Sequence, residues 1–114
     1  MSFHFCAHSW EVRDLEDGTL VAIANRDLDR ETIPVLVDEL LEIVMESGQP
    51  NLYLDFDRIG LISSIVVAKM LTLDTRLRQH GGRLILVNVN ATSFRLFQAA
   101  RLTETLDIRT PVCV

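Results

Sequence analysis

Residues 51–89, NLYLDFDRIGLISSIVVAKMLTLDTRLRQHGGRLILVNV, hold two apolar runs separated by an amphipathic one. Leu52–Phe56 reads as a buried strand. The next segment turns and then follows helical spacing from about Ser64 to His80, with Val67, Met70, Leu71 and Leu77 recurring on one side. Arg76, Arg78 and Gln79 fall in its last turn, where cations suit the helix dipole. Gly81-Gly82 stops the helix. Arg83–Val89 is nearly all apolar, as expected of a strand covered on both faces. Two strands joined by a helix pair in parallel through a right-handed crossover. This unit makes the fold α/β.

The flanks extend it. Ser9–Leu15 and Thr19–Ala24 are β-type runs around Glu16-Asp17-Gly18, a hairpin-turn signal. Beyond Asn25-Arg26-Asp27-Leu28-Asp29, apolar residues Ile33, Leu36, Val37, Leu40, Leu41 and Val44 recur at helical spacing. Pro34 suits the first turn of that helix, and Ser47-Gly48 with Pro50 ends it. A third helix covers about Ala91–Ala100, capped by Asn90 or Thr92, with Phe94 and Phe97 in the core. Leu106–Ile108 is read as a short last edge strand. The order β-β-α-β-α-β-α-β predicts one domain over residues 1–114. Its mixed sheet has about five strands, an antiparallel hairpin and then parallel strands, with three to four helices packed over it.

Composition narrows the function. The 114 residues are 48% hydrophobic and 24% charged, enough for a full core in a single domain. A net charge of −5 disfavours nucleic acid and anionic membranes, and suits a neutral or basic protein partner. No apolar run approaches the ~18 residues of a membrane span. The opening MSFHFCAHSWEV lacks the pattern of a secretory signal. Cys6 and Cys113 have no ligand spacing and read as free thiols in a reducing cytoplasm. His4, His8 and His80 have no zinc-type neighbours. Asp55 and Asp57 form a D-x-D at a strand end, read as a solvated acidic loop. No metal, cofactor or catalytic triad is expected, and the chain is read as a non-enzyme.

Ser63 and Ser64 are the residues that carry a functional question. A serine at a helix start either caps free backbone N–H groups or carries a phosphate that those groups and the dipole stabilise. Either serine fits the cap.

From about Thr19 to Ile108 the chain resembles the STAS domain of bacterial anti-sigma factor antagonists, with no insertion or deletion. Arg26-Asp27-Leu28-Asp29 matches the family's G-E-L-D segment, and Leu52-Tyr53-Leu54-Asp55-Phe56 its polar-ended strand. Ile62-Ser63-Ser64-Ile65-Val66-Val67-Ala68 stands at hydrophobic-D-S-[ST]-G-L-G. Gly81-Gly82-Arg83-Leu84-Ile85-Leu86-Val87 keeps the downstream glycine-strand segment, and Arg95-Leu96-Phe97 through Leu102 the last-helix signature.

The resemblance implies a phospho-switch with an anti-sigma factor that is also a serine kinase. In the family the unphosphorylated protein binds that partner and frees the sigma factor. By position the phospho-acceptor is Ser64, with Ser63 the alternative. The implied contact surface is Asp27, Asp29, Asp55, Ser63, Ile65 and Val66. Ser63 replaces the family's aspartate, and Ile65 to Ala68 replace its glycine-containing stretch. These departures suit an alternative, a STAS scaffold never phosphorylated that assembles with other STAS proteins or with itself. A response-regulator receiver using Asp55 or Asp57 fits poorly. The chain opens with a hairpin, and its one lysine, Lys69, lies inside a helix.

Overall fold

The computed structural model describes residues 10–23, 32–48, 51–60 and 62–110. In chain order the elements are β1 (Trp10–Asp14), β2 (Gly18–Ile23), α1 (Thr32–Ser47), β3 (Asn51–Asp55), α2 (Ser64–Gln79), β4 (Leu84–Val87), α3 (Ala91–Ala99) and β5 (Asp107–Ile108). The five strands form one sheet in the order β1-β2-β3-β4-β5. The hairpin pair is antiparallel, with Val12 opposite Val21. The remaining pairs are parallel, with Val21 beside Leu54, Leu54 beside Leu86, and Leu86 beside Ile108.

This mixed α/β sheet is the one expected from the sequence. Most element ends differ from the expected ones by a residue or two, and β4 is the shorter Leu84–Val87 rather than Arg83–Val89. Three helices occur among the described residues.

A sheet whose parallel strands follow one another in spatial order, each joined by a right-handed crossover, receives all its helices on one face. The single core agrees. Val21, Leu52, Leu54, Leu84 and Leu86 project from the strands into it. They meet Val37, Leu40 and Val44 of α1, Val67, Met70, Leu73 and Leu77 of α2, and Phe97 of α3. Along β3 the period-two pattern is plain: Leu52 and Leu54 are buried, while Asn51, Tyr53 and Asp55 are half-buried.

The hairpin is tied to the sheet through its turn. Leu15 N–H donates to the Gly18 carbonyl, and the Asn51 side-chain amide donates to the Asp17 carbonyl. The Tyr53 hydroxyl donates to the Asp17 carboxylate at 2.8 Å, a bond that pushes the phenol's pKa up. Gly18 is required at its place. A Cβ there would lie 2.5 Å from the carbonyl oxygen of Asn51, on the paired strand, where backbone cannot give way. Gly18→Ala is expected to destabilise the fold by about 1–3 kcal/mol, the usual cost of overpacking. A lowered urea midpoint at unchanged slope checks it.

Helix α2 ends in a Schellman motif. Gly81, at φ +82°, donates to the Arg78 carbonyl, and Gly82 donates to the Leu77 carbonyl. Helix α3 ends the same way with Arg101 at φ +61°, where a glycine would be unstrained.

Candidate functional site

The carboxyl ends of parallel strands are where an open α/β sheet presents its loops. Two loops meet there in this chain: residues 56–63 between β3 and α2, and residues 88–90 between β4 and α3. Asp55 ends β3 beside Ala22 of β2, so β2 also ends at this end of the sheet, before the stretch 24–31. That stretch holds Asp27 and Asp29, both of which lie outside the described residues, as do His4, Cys6, His8 and Cys113.

The β3–α2 loop is fixed from both ends. Ile59 and Ile62 are buried and anchor it to the core. Phe56 N–H donates to the Val87 carbonyl, and Ile59 N–H donates back to the Phe56 carbonyl, closing a turn. Asp55 Oδ1 accepts from Asp57 N–H at 2.9 Å and from Asn88 Nδ2 at 2.9 Å. Asn88 itself sits at φ +56°, a left-handed conformation that asparagine tolerates well. Asn90 Nδ2 donates to the carbonyls of Ile59 and Gly60.

This loop delivers Ser63 as the N-cap of α2, at φ −102° and ψ 170°, with Ser64 as the first helical residue. Both serines are exposed. Ser63 makes no side-chain capping bond. The first backbone bond of the helix runs from Val67 N–H to the Ser63 carbonyl, so the N–H groups of Ser64, Ile65 and Val66 precede the helical ladder. The first turn contains no acidic residue. An exposed hydroxyl therefore stands beside the positive end of a 16-residue helix.

The expected contact residues separate into different roles. Ser63 and Ser64 are on the surface, and Ile65 is half-buried. Val66 is not available to a partner, which corrects the reading from sequence: it is fully buried, on the same stripe of α2 as Met70, Leu73 and Leu77. The carboxylate of Asp55 is engaged within the loop, whereas Asp57 is exposed. Sequence reasoning left the cap of α3 between Asn90 and Thr92, and Asn90 takes it: its Oδ1 accepts from Ser93 N–H at 2.8 Å. The second task of Asn90 on the serine loop, and that of Asn88 on Asp55, went unread. The asparagines are visible in the sequence, but their partners are about 30 residues away. Among the described residues no group of three or more His, Cys, Asp or Glu is placed to hold a metal ion, and no helix is long and apolar enough to cross a membrane.

The family model of the STAS domain matches residues 5–112. The chain is similar in structure to an anti-sigma factor antagonist from Mycobacterium paratuberculosis, at 19% identity and a TM-score of 0.75, over 93% of this chain and 87% of that one. It is also similar to the anti-sigma factor antagonist SpoIIAA in its unphosphorylated form, at 16% identity and a TM-score of 0.74, over 91% of this chain and 89% of that one. The phosphorylated form of SpoIIAA from Bacillus aligns at 17% identity and a TM-score of 0.66, over 91% of this chain and 92% of that one. The murine anion transporter Slc26a9 carries the same fold in 17% of its length, matching 88% of this chain at 10% identity and a TM-score of 0.71. At these identities the likeness is one of fold. No curated protein matches the chain.

Proposed function

The chain belongs to the STAS domain family, and on that premise we propose that it is an anti-sigma factor antagonist-like regulator without catalytic activity of its own. In this reading it acts in the cytoplasm by binding an anti-sigma factor that is also a serine kinase. Phosphorylation of Ser64 ends the binding. The observation that carries the proposal is the placement of Ser64, exposed at the first position of α2 with no acidic neighbour in the helix's first turn. A phosphate there adds roughly −1.5 to −2 charge and three acceptor oxygens, which the leading N–H groups and the dipole accommodate without unfolding the helix. The same charge in a contact surface is costly to desolvate and repels acidic groups. Ser63, Ser64 and Ile65 are the surface of the proposed contact, with Asp27 and Asp29 contributing from the stretch after β2. Asp55 serves it by fixing the loop.

Half-buried Ile65, at the head of the stretch that replaces the family's glycine-containing segment, and Ser63 in place of aspartate favour a second reading, a scaffold that binds its partners without phosphorylation. Intact-mass and phosphosite mapping of the protein from the cells that produce it, growing and stressed, separates the two. A stress-dependent phosphate on Ser64 supports the switch, and phosphate on Ser63 alone moves the acceptor by one residue. No phosphate under any condition leaves the scaffold.

A further inference from the structure

We propose that Asn90 is a positioning residue for the serine at the start of α2, a role that rests on the switch reading and extends it. Both N–H donors of its side-chain amide are used, and its oxygen accepts. Oδ1 accepts from Ser93 N–H at 2.8 Å, and Nδ2 donates to the Ile59 carbonyl at 3.2 Å and the Gly60 carbonyl at 3.0 Å. The orientation follows from the partners, because a rotated amide would set its oxygen against two carbonyls and its nitrogen against an N–H.

One side chain thus caps α3 and holds the loop only three residues before Ser63. Gly60 is otherwise exposed, and among the described residues the loop's remaining ties lie at Phe56, Asp57 and Ile59 and in the buried side chain of Ile62. Between Ile59 and Ile62 the two carbonyl contacts are the only side-chain hydrogen bonds among the described residues. Asn88 acts in the same direction one step upstream, by holding Asp55. The loop entering α3 and the loop entering α2 are therefore one assembly. The position of Ser64 depends on a residue that need not touch a kinase or an anti-sigma factor.

Substitution separates the two tasks of Asn90. Serine is as good an N-cap as asparagine but has no amide to donate, so Asn90→Ser keeps the helix cap and releases the loop. Asn90→Ala loses both. Amide hydrogen exchange on the full chain is expected to speed up about tenfold in Asn90→Ser at Ile59 and Val67, whose N–H groups are bonded to the Phe56 and Ser63 carbonyls, as befits the loss of two ordinary hydrogen bonds. Protection in α3 should stay as in the parent, and fall only in Asn90→Ala. In the producing cells, phosphate occupancy of Ser64 should fall in Asn90→Ser at unchanged protein level.

Unchanged exchange at Ile59 and Val67 in Asn90→Ser would overturn the clamp. Faster exchange with unchanged Ser64 phosphate would overturn its role in presenting the serine. If the parent carries no phosphate at all, the switch reading is what fails. The exchange result then still decides whether Asn90 positions the start of α2.

Discussion

Asp74→Ala is expected to lower the stability of the fold by about 3 kcal/mol, the largest loss anticipated from removing one polar side chain. Asp74 lies on α2 and is 1% exposed. Its Oδ1 accepts from Leu84 N–H, the first residue of β4, at 3.0 Å, and its Oδ2 accepts from Arg78 Nε at 2.8 Å. Arg78 in turn donates through Nη2 to the Thr105 carbonyl at 2.8 Å. The carboxylate therefore joins α2, strand β4 and, through Arg78, the connection before β5. Alanine removes two acceptors and leaves the Leu84 N–H buried without a partner, which alone costs about 1–3 kcal/mol. Arg78 is half exposed, so the ion pair adds less than a fully buried one would. Asp74→Asn keeps an acceptor for Leu84 but brings an amide toward Arg78, and should cost about half as much. In thermal unfolding the alanine variant is expected to melt about 10 °C lower. A drop of a degree or two would mean that water or a shifted side chain replaces the carboxylate.

Asp74 also marks where sequence reading stops short. The apolar spacing of α2, its Gly81-Gly82 ending and the apolar run after it were legible because they report local rules: period, capping and burial. A carboxylate between Leu73 and Leu77 on the buried stripe was visible too, but its partners belong to β4 and the chain before β5. Only tertiary structure brings those to it. Val66 shows the opposite error. Family position places it at a contact surface, yet its spacing to Met70, Leu73 and Leu77 is that of the core stripe, and burial followed the spacing. The cap of α3 was readable as a local rule, while the second use of Asn90 was not, since a backbone carbonyl carries no mark in the sequence. Strand pairing was legible from element order, whereas strand ends were not, because the apolar run does not mark where the regular ladder gives way to single backbone bonds at Arg83 and Val89. Thus Arg83–Val89 reads as one strand although the regular ladder of β4 covers Leu84–Val87.

Ser64→Glu is expected to weaken binding to the proposed anti-sigma partner about 100-fold, or about 2.7 kcal/mol, while leaving the fold as stable as before. The two halves of this expectation have one physical origin. Ser64 is exposed at the first position of α2, whose first turn holds no acidic residue and whose leading N–H groups precede the helical ladder. A carboxylate there is favoured by the dipole, by about 0.3–1 kcal/mol, so thermal stability should hold or rise slightly. In a complex the same carboxylate must give up its water in a surface with an exposed Asp57 nearby in the chain, and that penalty falls on the bound state alone. Ser64→Ala separates charge from the loss of the hydroxyl. It should bind as the parent does and resist phosphorylation. Ser63→Ala tests the neighbouring position, and it should be mild because Ser63 makes no side-chain capping bond. Dissociation constants from titration calorimetry, with melting temperatures of the same samples, check the set. Parent-like affinity of Ser64→Glu for a partner that the parent binds tightly would remove the electrostatic switch. The contact would then rest on the apolar edge of Ile65, and the chain would be read as a scaffold whose interactions are not governed by charge at Ser64.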